Sequence, residues 1–284
     1  MRAVVAGVDL SAMGRRVTDR ARMMAESSGA PLHLLHVLEP VAEAMIEPGL
    51  ARLMREHQTK EATKLAEWAR QRSLVPVELE VVKGSPSWEL TARAKTASLV
   101  VVGSSSIDAF SVGPVAKRVA RKATADTLIV RRQPRMPYRK IIAAVDFSEQ
   151  SRAAVTSGLS LFPEAQITAL YSLPSRFDSI LADAGLFKEE LEASRGARLD
   201  MARERMEGFA STWDGSVGTM VVDGPPSETI EEVVRRRGAD LVIVASRGAT
   251  STRMVLLGTV AEGLVNQAPC DVFVARSRAA FRRP

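Results

Sequence analysis

Covalent cross-links cannot organise this chain. Cys270 is its single cysteine, which excludes an internal disulfide framework and any metal site built from four thiolates, and fits a reducing compartment. Aromatic residues are also scarce, at 5% of the chain, and no nucleic-acid-binding motif occurs, so a nucleic-acid partner is not expected. No apolar run approaches the roughly 20 residues that span a bilayer. The start, MRAVVAGVDL, passes from one Arg into a strand-like run ending in a carboxylate, and a cytoplasmic protein without a membrane span is expected.

Catalytic signatures are missing as well. There is no Gly-x-Ser-x-Gly elbow, no Gly-x4-Gly-Lys-Ser/Thr loop, no Ser-Gly-Gly-rich pyrophosphatase loop and no His-Ile-Gly-His run. The three histidines, His33, His36 and His57, make neither a metal set nor a triad. His33 and His36 lie three apart on a strand-like run and so face opposite sides of it, and Glu56-His57 lacks a second His four residues on. Cys270 follows Pro269 with no histidine in its half, the setting of a buried, inert thiol rather than a nucleophile.

What is present is an ordinary globular composition, 46% hydrophobic and 25% charged over 284 residues, a length suited to two cores. The net charge of +6 is uneven. Residues 1–137 hold 21 Lys/Arg against 14 Asp/Glu, and the remainder 18 against 19. Basic clusters sit at Arg131, Arg132, Arg135, Arg139 and Lys140, and again at Arg276, Arg278, Arg282 and Arg283. They read either as a solvated linker and tail or as a contact for an anionic lipid, nucleic acid or acidic partner.

One unit is written twice. Val8-Asp9-Leu10-Ser11 is echoed by Val145-Asp146-Phe147-Ser148, Gly84-Ser85-Pro86 by Gly224-Pro225-Pro226, Leu99 to Gly103 by Leu241 to Ala245, and Asp126 to Arg131 by Asp271 to Arg276, in the same order. Short apolar runs bounded by Gly, Pro or Asp predict five strands per half: Ala3–Val8, Leu32–Val37, Val77–Lys83, Leu99–Gly103 and Thr127–Val130, then Ile141–Val145, Gln166–Tyr171, Val217–Val222, Leu241–Ala245 and Asp271–Ala275. Helix-period segments lie between them, such as Val155, Leu159 and Phe162 on one face and Val260, Leu264 and Ala268 on another. Segments 41–73 and 177–212 are the least alike between the halves. The alternation predicts an α/β fold with parallel sheets, organised as two tandem units, 1–135 and 136–284. Ligands in such sheets sit beyond the carboxyl ends of the strands, where the winding reverses.

The second half carries a loop of the right composition at that place. Ala245-Ser246-Arg247-Gly248 is followed by nine residues and then by Gly258-Thr259, which opens a helix through Val260 and Leu264. Gly248 allows positive φ and close approach, Gly258 and Thr259 bring amides and a hydroxyl to the positive end of a helix dipole, and Arg247 adds a cation. The first-half loop lacks these parts. Gly103-Ser104-Ser105-Ser106 runs through only six residues to Gly113-Pro114, where Pro removes both an amide and the hydroxyl. Asp9-x-Ser11 and Asp146-x-Ser148 also read as plain helix caps, a role compatible with ligand binding.

Together these residues resemble the universal stress protein family, whose members share a five-stranded α/β unit and a loop Gly-x2-Gly-x9-Gly-Ser/Thr. The resemblance spans both halves and includes the Val-Asp-x-Ser starts, the Gly-x-Pro turns and Gly258 to Glu262 leading to Ala268-Pro269-Cys270. It implies two Rossmann-like domains of the adenine nucleotide alpha hydrolase type, and ATP or another adenine nucleotide, with or without Mg2+, as the ligand. It implies Asp146 and Ser172 at the base, with Ala245, Arg247, Gly248, Gly258, Thr259 and Val260 around the phosphates. Ala245 replaces the first loop Gly, which strand-like φ would tolerate. The first half keeps Asp9 and Val37 at the base positions yet is not expected to bind ATP in the family manner. The implied function is a stress-response protein with at most slow hydrolysis, the alternative being a nucleotide-free interaction scaffold on the same fold. Because family members pair their last strands antiparallel, the resemblance also implies an intramolecular pseudo-dimer through Thr127–Val130 and Asp271–Ala275, and leaves a further homodimer open. The two basic segments that follow those strands are then expected to lie close together.

Overall fold

A computed structural model describes residues 2–40, 47–104, 112–174, 188–247 and 257–276. In the first half the elements run β1 (Val4–Gly7), α1 (Ala12–Ser28), β2 (Leu32–Leu38), α2 (Pro48–Arg70), β3 (Val77–Lys83), α3 (Pro86–Arg93), β4 (Leu99–Gly103), α4 (Pro114–Lys122) and β5 (Asp126–Val130). The second half repeats them as β6 (Lys140–Ala144), α5 (Glu149–Leu161), β7 (Gln166–Leu173), α6 (Lys188–Ala210), β8 (Val217–Asp223), α7 (Pro226–Arg237), β9 (Leu241–Ala245), α8 (Thr259–Gln267) and β10 (Asp271–Ala275). All ten expected strands are present, four with the expected bounds and six with ends shifted by one or two residues. The tandem α/β reading holds.

The strands form one sheet in the order β3-β2-β1-β4-β5-β10-β9-β6-β7-β8. Every neighbouring pair is parallel except the central one, where β5 and β10 run antiparallel with Val272 opposite Ile129 and Val274 opposite Thr127. Each half is therefore wound outward from β1 or β6, and the winding reverses between β1 and β4 and between β6 and β9. Those two crevices are where ligands are expected in open α/β sheets.

The core divides by face, not by half. One hydrophobic layer packs α1, α2, α5 and α6 on one face through Val17, Ala21, Ala66, Val155 and Met206; the other packs α3, α4, α7 and α8 through Leu90, Val119, Val234 and Leu264. Both layers run through residues of both halves. In place of the two separate cores that the chain length suggested, two continuous layers of apolar contact run across the β5–β10 ladder.

That ladder is closed by two aspartates in equivalent places. Asp271, 1% exposed at the start of β10, accepts the backbone N–H groups of Arg131 (2.8 Å) and Arg132 (3.0 Å) just beyond β5, and the Tyr138 hydroxyl at 2.6 Å. Asp126, at the start of β5, accepts the Arg276 N–H at 2.7 Å just beyond β10. The side chains of the same arginines reach onward to helix carbonyls of the opposite half, Arg131 to Val265 O and Arg276 to Ala120 O. Arg20 stacks on the Tyr138 ring with its guanidinium carbon 3.8 Å from the centroid, and its Nε lies 3.8 Å from Asp271. Burial raises the Asp271 carboxyl, opposed by the Tyr138 hydroxyl, the two amides and Arg20.

Two expectations about the basic clusters change here. Arg131 is 8% exposed and spent on an internal carbonyl, so it is neither a solvated linker cation nor a free contact for an anionic partner, whereas Arg132 stays exposed, with its Nε tethered to Pro269 O. The antiparallel direction also separates the first arginines of the two segments: Arg131 follows β5 beside the start of β10, whereas Arg276 follows β10 beside the start of β5, a strand length away. Arg278, Arg282 and Arg283 lie outside the described residues. Among the described residues no helix is long and apolar enough to cross a membrane.

Asp271→Ala leaves a buried amide, a part-buried amide and a buried hydroxyl without an acceptor, which is expected to lower unfolding free energy by about 3 kcal/mol. Tyr138→Phe removes one of those bonds and is expected to cost about 1 kcal/mol. Urea unfolding of the purified variants measures both, and a cost for Asp271→Ala no greater than that of Tyr138→Phe would show that the seam does not rest on this carboxylate.

Candidate functional site

At the carboxyl edge of the second half, the crevice between β6 and β9 opens into a cleft of ≈ 350 Å³. Seven of the eight sequence-derived candidates line it: Asp146, Ser172, Ala245, Arg247, Gly258, Thr259 and Val260. The eighth, Gly248, lies outside the described residues, and so does the loop from 249 to 256.

Each residue arrives by a local cause. Asp146 ends the first strand of this half at a corner where Phe147 adopts φ 63, a conformation that L side chains seldom take. Ser148 caps α5 by accepting the Ser151 N–H at 3.1 Å, while Asp146 Oδ1 accepts both the N–H and the hydroxyl of Ser148. The capping role therefore belongs to Ser148, and Asp146 positions the cap while facing the cleft. The first half repeats the device, with Ser11 accepting the Met13 and Gly14 N–H groups and Asp9 holding Ser11. Ser172 lies within β7, which runs on to Leu173, and donates its hydroxyl proton to Gly224 O at 2.8 Å. Toward a ligand that hydroxyl can only accept. Gly224 itself turns at φ +135, where a side chain would also meet the Thr229 hydroxyl at 2.6 Å.

Ala245 is the last residue of β9 and pairs in register with Ala275. Its backbone is extended, so the methyl group that replaces the family's first Gly brings no strain. Gly258 is the N-cap of α8, and its N–H donates to Ser246 O at 3.0 Å. The expectation that Gly258 supplies a ligand amide is corrected by that bond, which closes the neck of the loop. The amides left without an intrahelical acceptor are those of Thr259, Val260 and Ala261 in the first turn. Among the described residues no side chain caps them. Arg247 stands near this helix start and near Arg276, whose guanidinium is pushed down to about 10, first by burial and then by the Arg247 charge. Two neighbouring cations and a helix N-terminus give this end of the cleft a positive potential.

The opposite end is aromatic, which the candidate set did not include. Tyr171 lines the cleft, and Phe147 lies behind it with ring centroids 4.4 Å apart. Phe209 meets Phe147 edge-on, and Arg205 covers the Phe147 ring at 4.6 Å. Burial raises the Tyr171 phenol, with Arg205 opposing and Asp146 adding to it. Ser151, Pro226 and Ile230 also line the wall. Pro226 belongs to the Gly-Pro-Pro turn that marks the repeat, so its signal was present in the sequence without a stated role.

The first half has a cleft at the matching crevice, ≈ 330 Å³, which Asp9, His36, Val37, Gly103, Ser104 and Pro114 help to line. The histidines divide as their spacing predicts. His36 is buried, whereas His33 lies at the outer surface with Nε2 3.3 Å from Glu78. Residues 105–111, including Ser106, lie outside the described residues.

The sequence pattern of the Universal stress protein family matches residues 1–131 and again 137–276. The universal stress protein Rv2623 of Mycobacterium tuberculosis is 25% identical over 291 residues, covering 96% of each chain. The universal stress protein MJ0531 of Methanocaldococcus jannaschii is 28% identical over 148 residues, 49% of this chain and 82% of that one. The crystal structure of a universal stress protein from Archaeoglobus fulgidus matches with a TM-score of 0.66 at 16% identity, over 96% of this chain and 98% of that one. That likeness concerns the fold.

Cys270 lies away from this site, just before the start of β10, whereas the cleft opens beyond the end of β9, which runs parallel to β10. Its thiol is fully buried, contacts Asp271 O at 3.3 Å, and is pushed up to about 12 by burial and by the Asp271 charge. The native chain is therefore expected to resist an aromatic disulfide reagent that labels it at once in urea, as followed by absorbance, and prompt labelling of the native protein would contradict this burial.

Proposed function

The chain belongs to the universal stress protein family, and from that premise we propose that its second half binds ATP or a related adenine nucleotide and acts as a nucleotide-dependent stress regulator with little or no hydrolysis. The reading is supported above all by the polarity of the cleft, which has unspent first-turn amides and Arg247 at one end and Tyr171 with Asp146 and Ser172 at the other. The α8 amides of Thr259, Val260 and Ala261, the Thr259 hydroxyl and Arg247 would receive the phosphates, since dipole and guanidinium both favour anions. Tyr171 offers a face for a base, and the Asp146 carboxylate accepts bonds from ribose hydroxyls or an exocyclic amine. Mg2+ would enter with the phosphates.

Binding without rapid turnover follows from the same side chains. Asp146 is the single carboxylate among the described residues lining the cleft, and it sits at the aromatic end, engaged by Ser148. A general base next to the phosphate end is not among them. The joined halves are read as an internal pseudo-dimer, in which β5 and β10 supply the contact that separate family chains make between molecules.

ATP with Mg2+ at about 100 times its dissociation constant is expected to stabilise the folded chain by roughly 2.7 kcal/mol, read as a shift in the thermal melt. Thr259→Pro tests the cradle with little damage, because Pro114 already occupies the equivalent first position of α4. It removes one amide and the hydroxyl and is expected to weaken ATP at least tenfold, as is Arg247→Ala. Gly113→Ala is expected to leave binding unchanged. Absence of any ATP-dependent shift, with no nucleotide released on denaturing the purified protein, would instead favour the nucleotide-free scaffold.

A further inference from the structure

The first-half cleft matches its partner in volume and opposes it in charge. No Lys or Arg lines it among the described residues, and the carboxylates of Asp9 and Glu39 stand at its mouth. Pro114 occupies the first position of α4, so the helix start that would face a phosphate is short of one amide and has no hydroxyl. In sequence, Ser105 holds the place of Arg247.

Two residues that line this cleft each hold a buried polar atom with no hydrogen-bond partner among the described residues: His36 at Nε2 and Ser104 at Oγ. His36 is 6% exposed and Ser104 is fully buried. The other ring nitrogen of His36, Nδ1, lies 3.0 Å from Val8 O. A carbonyl oxygen only accepts, so Nδ1 carries a proton toward Val8 O, and in that imidazole tautomer Nε2 presents a lone pair. Buried polar atoms without partners are uncommon and costly, and two of them lining one cleft point to something that completes them. Water alone is a poor candidate for the whole space, because Val37, Leu90, Val102 and Val115 make much of its wall apolar.

We propose that the first half has a ligand site of its own, for a phosphate-free small molecule, neutral or cationic, that donates N–H or O–H bonds to His36 Nε2 and Ser104 Oγ. The acceptor-rich lining selects donors, and the carboxylates at the mouth with no opposing cation reject anions. The two halves of the chain then bind ligands of opposite electrostatic class. This site is independent of nucleotide binding in the second half, and either can stand without the other.

The test uses the full chain carrying Thr259→Pro, which suppresses the second cleft. The chain contains three histidines, so the His36 ring resonances are identified by their loss in His36→Gln. Adenosine serves as a neutral probe, agmatine as a cationic one, and adenosine 5′-monophosphate as the phosphate-bearing control. At least one of the first two is expected to move the His36 signals saturably, while the monophosphate binds there at least about tenfold more weakly than adenosine, or not at all. Ser104→Ala supplies a second reading. Removing a buried hydroxyl without a partner is expected to leave the free protein as stable or more so, yet to weaken the bound probe about fivefold to tenfold. The proposal is overturned if neither adenosine nor agmatine moves His36, if the monophosphate binds there as tightly as adenosine, or if Ser104→Ala leaves affinity unchanged.

Discussion

A parallel sheet that ends in an open strand exposes a row of amides and carbonyls, and two such sheets in one chain would carry that hazard twice over at their last strands. Here the last strand of each half satisfies the other, and the whole molecule depends on the way that ladder is closed. The end of an antiparallel pair would leave the N–H groups just beyond each strand without strand acceptors. A carboxylate supplied by the first residue of the opposite strand fills that need at both ends, Asp271 for Arg131 and Arg132, and Asp126 for Arg276. The arginines at those positions carry the same closure outward, to the last turn of α8 on one side and of α4 on the other. Because each half donates to and accepts from the other in the same pattern, neither half buries its seam alone.

A fixed seam has a consequence for the two clefts. Both lie at crevices set by the strand order, each one strand away from the central pair, so their positions are determined by topology and their volumes come out nearly equal, ≈ 330 and ≈ 350 Å³. What differs is the chemistry that hangs on the loops. Replacing Thr259 by Pro114 and Arg247 by a serine leaves the scaffold intact and takes an amide, a hydroxyl and a cation from the pocket, because the scaffold never relied on those groups. Duplication frees one copy of a site from the requirement to bind the original ligand, while the shared sheet continues to require the fold of both.

Most of the architecture was legible in the residues because strands buried on both faces must be apolar throughout, and the ten runs such as Leu99 to Gly103 and Asp271 to Ala275 have no competing reading as helices of useful length. The seven lining candidates were legible for a related reason, since strand ends and helix starts are punctuated by Asp, Gly and Ser. Less visible were effects that belong to pairs of residues distant in sequence. The bond from Gly258 N–H to Ser246 O spans twelve residues and removes an amide that the motif alone would assign to a ligand. Tyr171 differs from its counterpart His36 by nothing that a pattern of apolar and polar residues registers, yet one offers a ring and the other a lone pair. Asp126 and Asp271 stood out as landmarks of the repeat, but a carboxylate that closes an antiparallel ladder in the other half of the chain has no local signature.

The separation of the first arginines of the two basic segments shows how a correct topology can still yield a wrong neighbourhood. Pairing the last strands places them side by side, and proximity of whatever follows them looks like a natural corollary. Antiparallel direction reverses it: the residue after one strand meets the residue before the other, so a basic position following each strand is matched to an acidic position opening its partner. Arg131 faces Asp271 and Arg276 faces Asp126 for this reason. The spacing Asp-x4-Arg in both copies, Asp126 to Arg131 and Asp271 to Arg276, is therefore a statement about strand length. Five residues of β-structure carry the Arg just past the end at which the other strand's Asp begins, and a strand one residue longer or shorter would present the amide to the wrong side of the ladder.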